Sequence, residues 1–498
     1  MYLLLKLFIP LCIIYSGYPN NKDYLSVTRD KGIRGNHVVH LEPEKEKIIR
    51  NPMMGWALYA DAYHPDMKFW QKFDHISVQG HASPVKASDY ATHLYIRWPW
   101  SALEKEEGAY AWEYDEFFLL LERGAEERGL KLAFRVYVDS RDYRTSSTPE
   151  YVRMAGAKGY MGNTGKWSPY PDDPVFQEKF EKFIRAFAER YDDPGRVEFV
   201  DGFGLGKWGE GHSIELTDKG NYIPMFHWIT HLYLTSFKKI PVAINYHVEI
   251  GKPLLTEAFE QGYILRHDAF GMSQYYGDFE KSIVQEQFPR RPVIAESGWW
   301  MNGNENWYQR DPNGYKTWQD VWGQTLQDAL NEHANILDLR NIAETRSWME
   351  HSLDLVNRFI AEGGYRLYPD HISLPATMKN NTTISIIHRW NNLGVGVCPS
   401  NIKQWNQKYQ VAFALLDQNT QTPQKIFIDP NAEPSQWIKN KPVTYKHRQE
   451  IKDIPEGIYT WGIAIVDTSQ NNTKGINISV KRNTGPTGWV PLFDVTVK

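Results

Sequence analysis

The sequence is poor in cysteine, and most of the chain lacks long apolar runs. Cys12 and Cys398 are the only cysteines among 498 residues, so no intrachain disulfide remains if the N-terminus is removed. The formal net charge is -4, and the 56 Lys and Arg residues are scattered, which argues against a nucleic-acid partner. No run approaches the roughly 20 apolar residues of an integral membrane span. Stability must therefore come from a large core, and this length predicts two domains.

The first residues, MYLLLKLFIPLCIIYSGYPN, place Lys6 before a short apolar run and then small residues. This arrangement is typical of an export signal. We predict a signal peptide over residues 1–17, a polar, extended lead-in over 18–48, and a periplasmic or secreted protein. A lipoprotein would use Cys12, but IPLC is a poor match to a lipid-attachment site.

From residue 49 to 363, apolar runs alternate with longer amphipathic segments, which is the rhythm of repeated βα units. Eight such runs predict a (β/α)8 TIM barrel of the α/β class with enlarged loops. The runs are MMGWALY (53–59), THLYIRW (92–98), LKLAFRVYV (130–138), RVEFVDGFGLG (196–206), IPVAIN (240–245), DAFGMSQYY (268–276), RPVIAES (291–297) and ANILDLR (334–340). After Gly363 the pattern changes to alternating β-type runs separated by Asn, Pro and Gly. Residues 364–498 therefore predict an antiparallel β-sandwich.

Two glutamates stand at predicted strand ends. Glu210 follows the fourth run, in DGFGLGKWGEGH, and Glu296 ends the seventh. Parallel strands bring their carboxyl ends to one rim, so both side chains should face the same site. Paired carboxylates support glycoside hydrolysis, with retention or inversion depending on their separation. The alternative for Glu210 is a solvated turn residue, because its glycine-rich surroundings accommodate many conformations.

Further polar and aromatic side chains near the predicted strand ends are candidates for binding substrate. Aromatic residues make up 14% of the chain, and aromatic faces with a polar edge suit sugar rings. The two arginines among the candidates could instead form salt bridges inside the barrel, and Asp139 is the leading substitute if Glu210 fails. The candidates are Arg97, Arg135, Asp139, Trp208, His212, Asn245, His247, Trp299 and Trp300.

The sequence predicts no cofactor and no metal. His212 with Glu210, or His247 with Glu249, would be the nearest approach to a metal site, but neither pair belongs to a close ligand set. No serine lies in a G-x-S-x-G frame, and GFGLGKWG lacks the spacing of a phosphate-binding loop.

Residues 98–136 carry a more specific pattern, in which Trp, Ser, Leu and Glu precede a Gly-x-Tyr-x-Trp segment and a helix. This region resembles clan-A glycoside hydrolases, especially the β-galactosidase type. About 450 residues are more similar still to a little-characterised group of bacterial barrel proteins, through NPxxGW, WGExH and a C-terminal wxNxGvxxC pattern. The residues that carry the first resemblance are Trp100, Ser101, Leu103, Glu104, Gly108, Tyr110, Trp112 and Asp115. Those that carry the second are Asn51 to Trp56, then Trp208, Gly209, Glu210, His212, Trp390, Asn392, Gly394 and Cys398.

The resemblance implies an acid/base at Glu210 and a nucleophile at Glu296. It also implies a tyrosine at the end of strand six, for which Tyr275 or Tyr276 fits. One position departs from the pattern: the clan carries Asn before its acid/base, to bind the sugar 2-hydroxyl, and this chain has Gly209. Asn245, His247 or His212 would have to supply that contact, or the assignment at strand four is wrong.

The sequence as a whole predicts a glycoside hydrolase that cleaves a β-linked oligo- or polysaccharide by the retaining route, a β-galactoside being one candidate. Two rival interpretations stay open. One is a barrel that binds polysaccharide without cleaving it, since the missing Asn could mark a lost activity. The other is an inverting hydrolase that uses the same carboxylates.

Overall fold

The computed structural model describes residues 35–63, 65–302 and 305–498. The predicted signal peptide and Cys12 lie outside the described residues. Cys398 is buried and is not part of a disulfide. Within the described ranges, no helix combines the length and apolar character needed to cross a membrane.

Eight parallel strands form a closed barrel in sequential order, so the predicted TIM barrel is confirmed. Each strand is followed by helical structure, as βα repetition requires. The strands are β1 (Gly55–Asp61), β2 (Ala91–Pro99), β3 (Lys131–Tyr137), β4 (Val197–Asp201), β5 (Val242–Asn245), β6 (Ile264–Phe270), β7 (Val293–Ser297) and β8 (Ala334–Leu339). The helices around the barrel are Phe69–Phe73, Ala87–Tyr90, Trp100–Leu103, Ala111–Tyr114, Glu116–Glu127, Glu150–Met154, Pro174–Tyr191, Tyr222–Ser236, Lys252–Gln261, Asp278–Gln287, Trp318–Asn331 and Ile342–Glu362.

Two strand predictions need correction. The fourth strand ends at Asp201, and the chain reaches Glu210 through a loop instead of along the strand. The sixth strand is Ile264–Phe270, whereas the predicted run 268–276 lies mostly in the turn after it. Arg266, His267 and Asp268 hid this strand in the sequence, because charged residues on a barrel strand break the expected apolar pattern.

The C-terminal residues form two mainly antiparallel sheets, which confirms the predicted sandwich; Thr377–Met378 pairs parallel to Val490–Val497. The first sheet orders Asn36–Val39, Leu367–Pro375, Thr382–Asn392 and Val443–Ile451; the second orders Thr377–Met378, Val490–Val497, Gly457–Asp467, Tyr409–Leu416 and Pro423–Asp429, with Thr473–Ile476 paired to Gly457–Asp467. The predicted lead-in thus contributes an edge strand to the first sheet, pairing Asn36 with Pro375.

The sandwich closes the amino end of the barrel. Side chains of the lower barrel interior and of the sandwich belong to one apolar cluster, including Tyr95, Phe199 and Trp390. At the junction the buried Asn335 amide donates to the carbonyls of Met53 (2.8 Å) and Val397 (2.7 Å) and accepts from the Val397 amide (3.1 Å). The carboxyl end of the barrel is thereby the end left for a site.

Replacing Asn335 by Ala should lower the free energy of unfolding by about 3 kcal/mol or more, because two carbonyls and one amide lose their partners in the interior. Urea unfolding followed by tryptophan fluorescence measures this loss. The matched control is Asn331→Ala, since the exposed Asn331 only accepts a bond from Gln327; a change within about 0.5 kcal/mol is expected there. Equal effects of the two substitutions would contradict the role assigned to the junction.

Candidate active site

The upper layer of the barrel interior is polar on nearly every strand. Cross-strand register sets Arg97 beside Arg135, Arg135 beside Asp201, and Asn245 beside Arg266. The side chains of this layer come from β2 to β8 and are Arg97, Arg135, Asp201, Asn245, Arg266, Glu296 and Asp338. An interior layer filled with charge has no packing advantage over an apolar one, so its composition indicates a functional site.

Asp201, which is fully buried, holds two of the arginines in place. Its Oδ2 accepts from Nε of Arg135 (2.6 Å), and it lies 2.6 Å from Nη2 of Arg135 and 3.6 Å from Nε of Arg266. Tyr95 also donates its hydroxyl to this oxygen (3.2 Å). Each guanidinium therefore keeps its remaining nitrogens available for a second carboxylate on the side facing the rim.

Glu210 is delivered by a tight loop after β4. The loop closes on itself through bonds from the Lys207 amide to the His212 carbonyl and from the Gly211 amide to the Leu205 carbonyl, both at 3.0 Å. It is tied to the chain after β3, because the Trp208 amide donates to the Asp139 carbonyl (2.8 Å). These bonds fix the backbone beneath Glu210 and turn its side chain toward the barrel axis.

Gly209 has a φ of +77°, and a β-carbon there would lie 3.2 Å from Cα of Gly204, 3.2 Å from Cβ of Tyr137 and 3.4 Å from Cδ of Arg135. Asn tolerates this backbone region better than most residues, yet its side chain would press on the arginine that holds Glu210. The departure from the clan pattern thus has a packing reason in this chain.

Arg135 and Arg266 connect the two predicted catalytic carboxylates. Oε1 of Glu210 accepts from Nη1 of Arg135 (2.8 Å) and lies 3.7 Å from Nη1 of Arg266. Oε2 of Glu296 accepts from Nη2 of Arg266 and lies 4.0 Å from Nη2 of Arg135. Because a guanidinium is a small planar group, the nearest oxygens of the two carboxylates are no more than about 9 Å apart.

Both carboxylates are held in the ionised form. Burial alone would raise the pKa of Glu210, but the contact with His212 (3.5 Å) and the charges of Arg135, Arg266 and Arg97 outweigh it and lower that pKa to about 2. For Glu296, burial is likewise outweighed by Arg266 first and then by three further arginines, so its pKa falls below the usual range. Arg340, whose Nε lies 3.5 Å from Oε1 of Glu296, is one of these.

Three other groups of the site shift in the opposite direction. Burial, then the charge of Glu296, raises the pKa of Asp338 well above its usual value, and burial also raises the pKa of Glu344 beside Arg340. For His212, burial would lower the pKa, but the contact with Glu210 dominates and raises it above 6.5. Glu210 and His212 are therefore a pair in which the imidazole holds the proton.

Glu210 and Glu296 open onto a cavity of about 500 Å³, a volume in the range of small-ligand sites, roughly 300 to 1,000 Å³. Indole and phenol rings form part of its wall, and Tyr275 packs against Trp299 with ring centroids 4.8 Å apart. Charged and polar groups form most of the remaining wall. Besides Glu210 and Glu296, the side chains that line the whole cavity include Arg97, Arg141, Asp142, Trp208, His212, His247, Glu249, His267, Asp268, Tyr275, Trp299, Trp307 and Arg340.

Three histidines form a row along this wall. The ring of His247 lies 5.0 Å from that of His212 and 6.2 Å from that of His267, and the rings of His247 and His267 are nearly parallel. Rings that face one another in this way do not converge on one ion, and no metal-binding group of three or more His, Cys, Asp or Glu occurs in the described ranges. Nε2 of His267 is buried without a hydrogen-bond partner there, so it can bind a ligand hydroxyl.

The predicted site residues divide into those that reach the cavity and those that support it. Arg97, Trp208, Glu210, His212, His247, Tyr275, Glu296 and Trp299 line the cavity. Arg135 lies behind Glu210 as a salt-bridge partner, and the Asn245 amide donates to the main-chain carbonyl of Glu210 (3.0 Å). Asn245 therefore positions Glu210 instead of replacing the missing Asn.

Three predicted binding residues lie elsewhere. Trp300 is fully buried against Tyr315, with ring centroids 5.6 Å apart. Tyr276 shares a hydrogen bond with the buried Tyr246 (3.0 Å). Asp139 accepts from Lys207, Ser168 and Tyr160 beside a different cavity, so it is no substitute for Glu210. Of the two tyrosines after β6, Tyr275 is the one at the site.

Sequence reasoning missed Arg266, His267, Asp201 and Arg340. The first two lie on the misplaced sixth strand. Asp201 was visible as the last residue of the apolar run VEFVD, and Arg340 as the residue after ILDL. A charged residue at the carboxyl end of a buried parallel strand was the signal that could have identified both.

No protein-family model matches the chain, and no curated protein matches it in sequence. Solved structures that resemble it include the endo-β-1,4-glucanase B of Bacillus halodurans (12% identity, 70% of this chain and 67% of that chain, TM-score 0.39). An exo-β-1,4-mannosidase of Opitutaceae bacterium strain TAV5 matches at 13% identity over 61% and 59% of the two chains (TM-score 0.39). A cold-adapted β-galactosidase of Rahnella sp. R3 matches at 9% identity over 68% and 60% (TM-score 0.40).

The matched part is thus about two thirds or less of each of these chains. All three are glycoside hydrolases by name, the class that the sequence resembles. At such identities and TM-scores, the role of each side chain in the present site rests on its own contacts.

Gly209→Asn should reduce activity on any cleaved substrate by roughly tenfold or more and lower the melting temperature, because the new side chain displaces Arg135 from Glu210. Steady-state kinetics with thermal unfolding measures both effects. Gly108→Asn is the matched control, since Gly108 also has a positive φ (+81°) but has no atom within 4 Å of the point where a β-carbon would lie. Undiminished activity of Gly209→Asn would contradict the packing reason given for the glycine.

Proposed function

We propose that the protein is a glycoside hydrolase that cleaves a β-linked oligo- or polysaccharide with retention of configuration. The observation that carries this proposal is the meeting of two buried, ionised carboxylates, Glu210 and Glu296, at one cavity on the carboxyl end of the barrel, joined by the same two arginines. Aromatic rings on the cavity wall suit the apolar faces of a sugar. A separation within about 9 Å is compatible with the two-carboxylate chemistry.

Glu296 is the proposed nucleophile. Its low pKa keeps the carboxylate charged at neutral pH, and its position on β7 fixes it against the floor of the cavity. Attack of its oxygen on the anomeric carbon breaks the glycosidic bond and forms a covalent glycosyl ester. Water then releases the sugar from Glu296 in a second displacement.

Proton transfer belongs to Glu210 together with His212. A carboxyl group with a pKa of about 2 does not retain a proton at neutral pH, so Glu210 alone is a poor acid. His212, 3.5 Å away and with a raised pKa, carries the proton that the leaving oxygen needs. In the second displacement, Glu210 accepts a proton from the attacking water and passes it to His212, which returns the pair to its starting state.

The cellular location follows from the N-terminal pattern alone. We propose that residues 1–17 direct export, which would bring the enzyme to polysaccharide outside the cytoplasm. Expression of the full-length chain and N-terminal sequencing of the processed product would test this.

Glu210→Gln and Glu296→Gln should each reduce kcat by about 10³-fold or more on the glycan that the wild type cleaves, because each removes a group that acts on the reacting bond. The activity is first sought on a panel of β-linked glycans, with products followed by proton NMR. First-formed product with the substrate's anomeric configuration supports retention; the opposite anomer supports inversion by the same carboxylates.

The control is Glu249→Gln on the same cavity wall, because its carboxylate accepts only from the Ser213 amide (2.7 Å) among the contacts seen there and is the smallest of the named charges that raise the pKa of His212. Its kcat is expected to stay within about threefold of wild type. Full activity in both Glu210→Gln and Glu296→Gln would eliminate the proposed roles. A protein that binds the glycans and cleaves none would support the non-catalytic interpretation.

The pH dependence distinguishes His212 from Glu210 as the proton source. In the wild type, the alkaline limb of kcat/KM should lie above pH 6.5, because it follows loss of the proton from His212, whose pKa is raised by Glu210, Asp268 and Glu249. In His212→Asn the limb should move to lower pH, since Glu210 remains held by Arg135. An alkaline limb that stays in place in this variant would exclude His212.

A further inference from the structure

A second cavity, of about 520 Å³, lies beside the first on the side of the Glu210 loop. Its wall comes from the chain after β3, from the hairpin of Gly159–Met161 and Trp167–Pro169, and from Lys207, Ser213 and Glu215 around Glu210. Arg141 and Ser213 line both cavities. The two cavities are therefore adjacent.

Asp139 organises the wall of the second cavity. Its carboxylate is nearly inaccessible and accepts from Oγ of Ser168 (2.5 Å), Nζ of Lys207 (2.5 Å) and the hydroxyl of Tyr160 (3.0 Å). With three donors bound, Asp139 fixes the hairpin against the Glu210 loop and has no role left in chemistry. The result is a preformed site, which binds ligands without a prior entropic cost of loop ordering.

Tyr160 supplies the aromatic surface of this cavity. Its ring is partly exposed, lies 5.5 Å from the ring of Tyr170 and has Nζ of Lys207 5.8 Å from its centroid. An aromatic face bordered by an ammonium group and hydroxyls can both stack on a sugar ring and donate to its oxygens. The first cavity offers a similar aromatic surface at Trp299 and Tyr275.

The side on which this cavity lies determines what it can bind. Lys207 and Ser213, which line it, enclose Glu210 and His212 in one loop, and among the described residues none from β7 lines it; the side chains of Glu210, His212 and Glu296 themselves line the first cavity. In glycoside hydrolysis the group that protonates the leaving oxygen stands on the leaving-group side of the bond. The second cavity therefore lies beyond the scissile bond, toward the leaving group.

We propose that the second cavity binds sugar residues of the leaving group, so that the substrate is a saccharide chain extending across the scissile bond and not the glycoside of a small aglycone. The direction of the chain rests on the proposed function of Glu210; the existence of the subsite does not. A volume of about 520 Å³ is enough for at least one hexose, given that ligand sites span roughly 300 to 1,000 Å³.

Binding to the Glu296→Gln variant tests this independently of turnover. Calorimetry is run with β-1,4-linked gluco-, manno- and galacto-oligosaccharides of two to six residues. Affinity should rise by about tenfold between the disaccharide and the length that fills both cavities, and then level off. Adding Tyr160→Ala should remove that gain for the longer ligands and leave disaccharide binding unchanged.

Tyr275→Ala is the matched control, because Tyr275 lines only the first cavity and its loss should weaken all lengths alike. Met161→Arg, at an exposed position of the second wall, blocks the cavity without removing a buried contact and should reproduce the Tyr160→Ala result if that variant fails to fold. If affinity does not depend on chain length, or if Tyr160→Ala weakens binding equally at all lengths, the inference is overturned and the proposed function is left standing. The inference is also overturned if no oligosaccharide of the three series binds at any length. In that case, cleavage of another glycan by the wild type would still support the proposed function.

Discussion

The salt bridge between Asp201 and Arg135 is the contact on which the upper barrel depends. Both side chains are fully buried, so neither charge can turn to water, and removing one partner of such a pair typically costs about 3 to 5 kcal/mol. Because Asp201 occupies one edge of the Arg135 guanidinium, the other edge must face Glu210. The orientation of a carboxylate at the rim is thus decided one layer deeper in the barrel.

The same arrangement explains why a site with so many charges is stable as a folded structure. Glu210 and Glu296 are each paired with guanidinium groups, so neither charge is buried alone. Burial also raises the pKa of both Asp338 and Glu344. At the opposite end of the barrel, the sandwich and Asn335 close the interior. The closed end and the charged cavity therefore lie at opposite ends of the same eight strands.

The fold was largely predictable because its signals are local. Apolar runs such as LKLAFRVYV indicate strands wherever burial and periodicity agree, and Asp173 before Pro174 marks the start of a helix that the structure has at Pro174–Tyr191. The sixth strand was misplaced where that agreement fails, since Arg266 points a charge into the barrel. Glu210 and Glu296 were predictable as rim residues, and Arg97 and Arg135 as candidates for salt bridges, but Asp201 and Arg266 were not. Which arginine meets which carboxylate depends on register across the barrel, and the replacement of Asn by Gly209 is explained only by atoms 3.2 Å away in Gly204 and Tyr137.

The hairpin of Gly159–Met161 and Trp167–Pro169 pairs with no barrel strand among the residues that the structure describes. It is attached to the barrel by Trp167, which packs in the apolar cluster around the strands, and by Asp139, which accepts from Tyr160 and Ser168. Met161, by contrast, is exposed on the wall of the second cavity. Changes confined to Met161 and its exposed neighbours could therefore reshape the second cavity while Trp167 and the arginines around Glu210 stay in place.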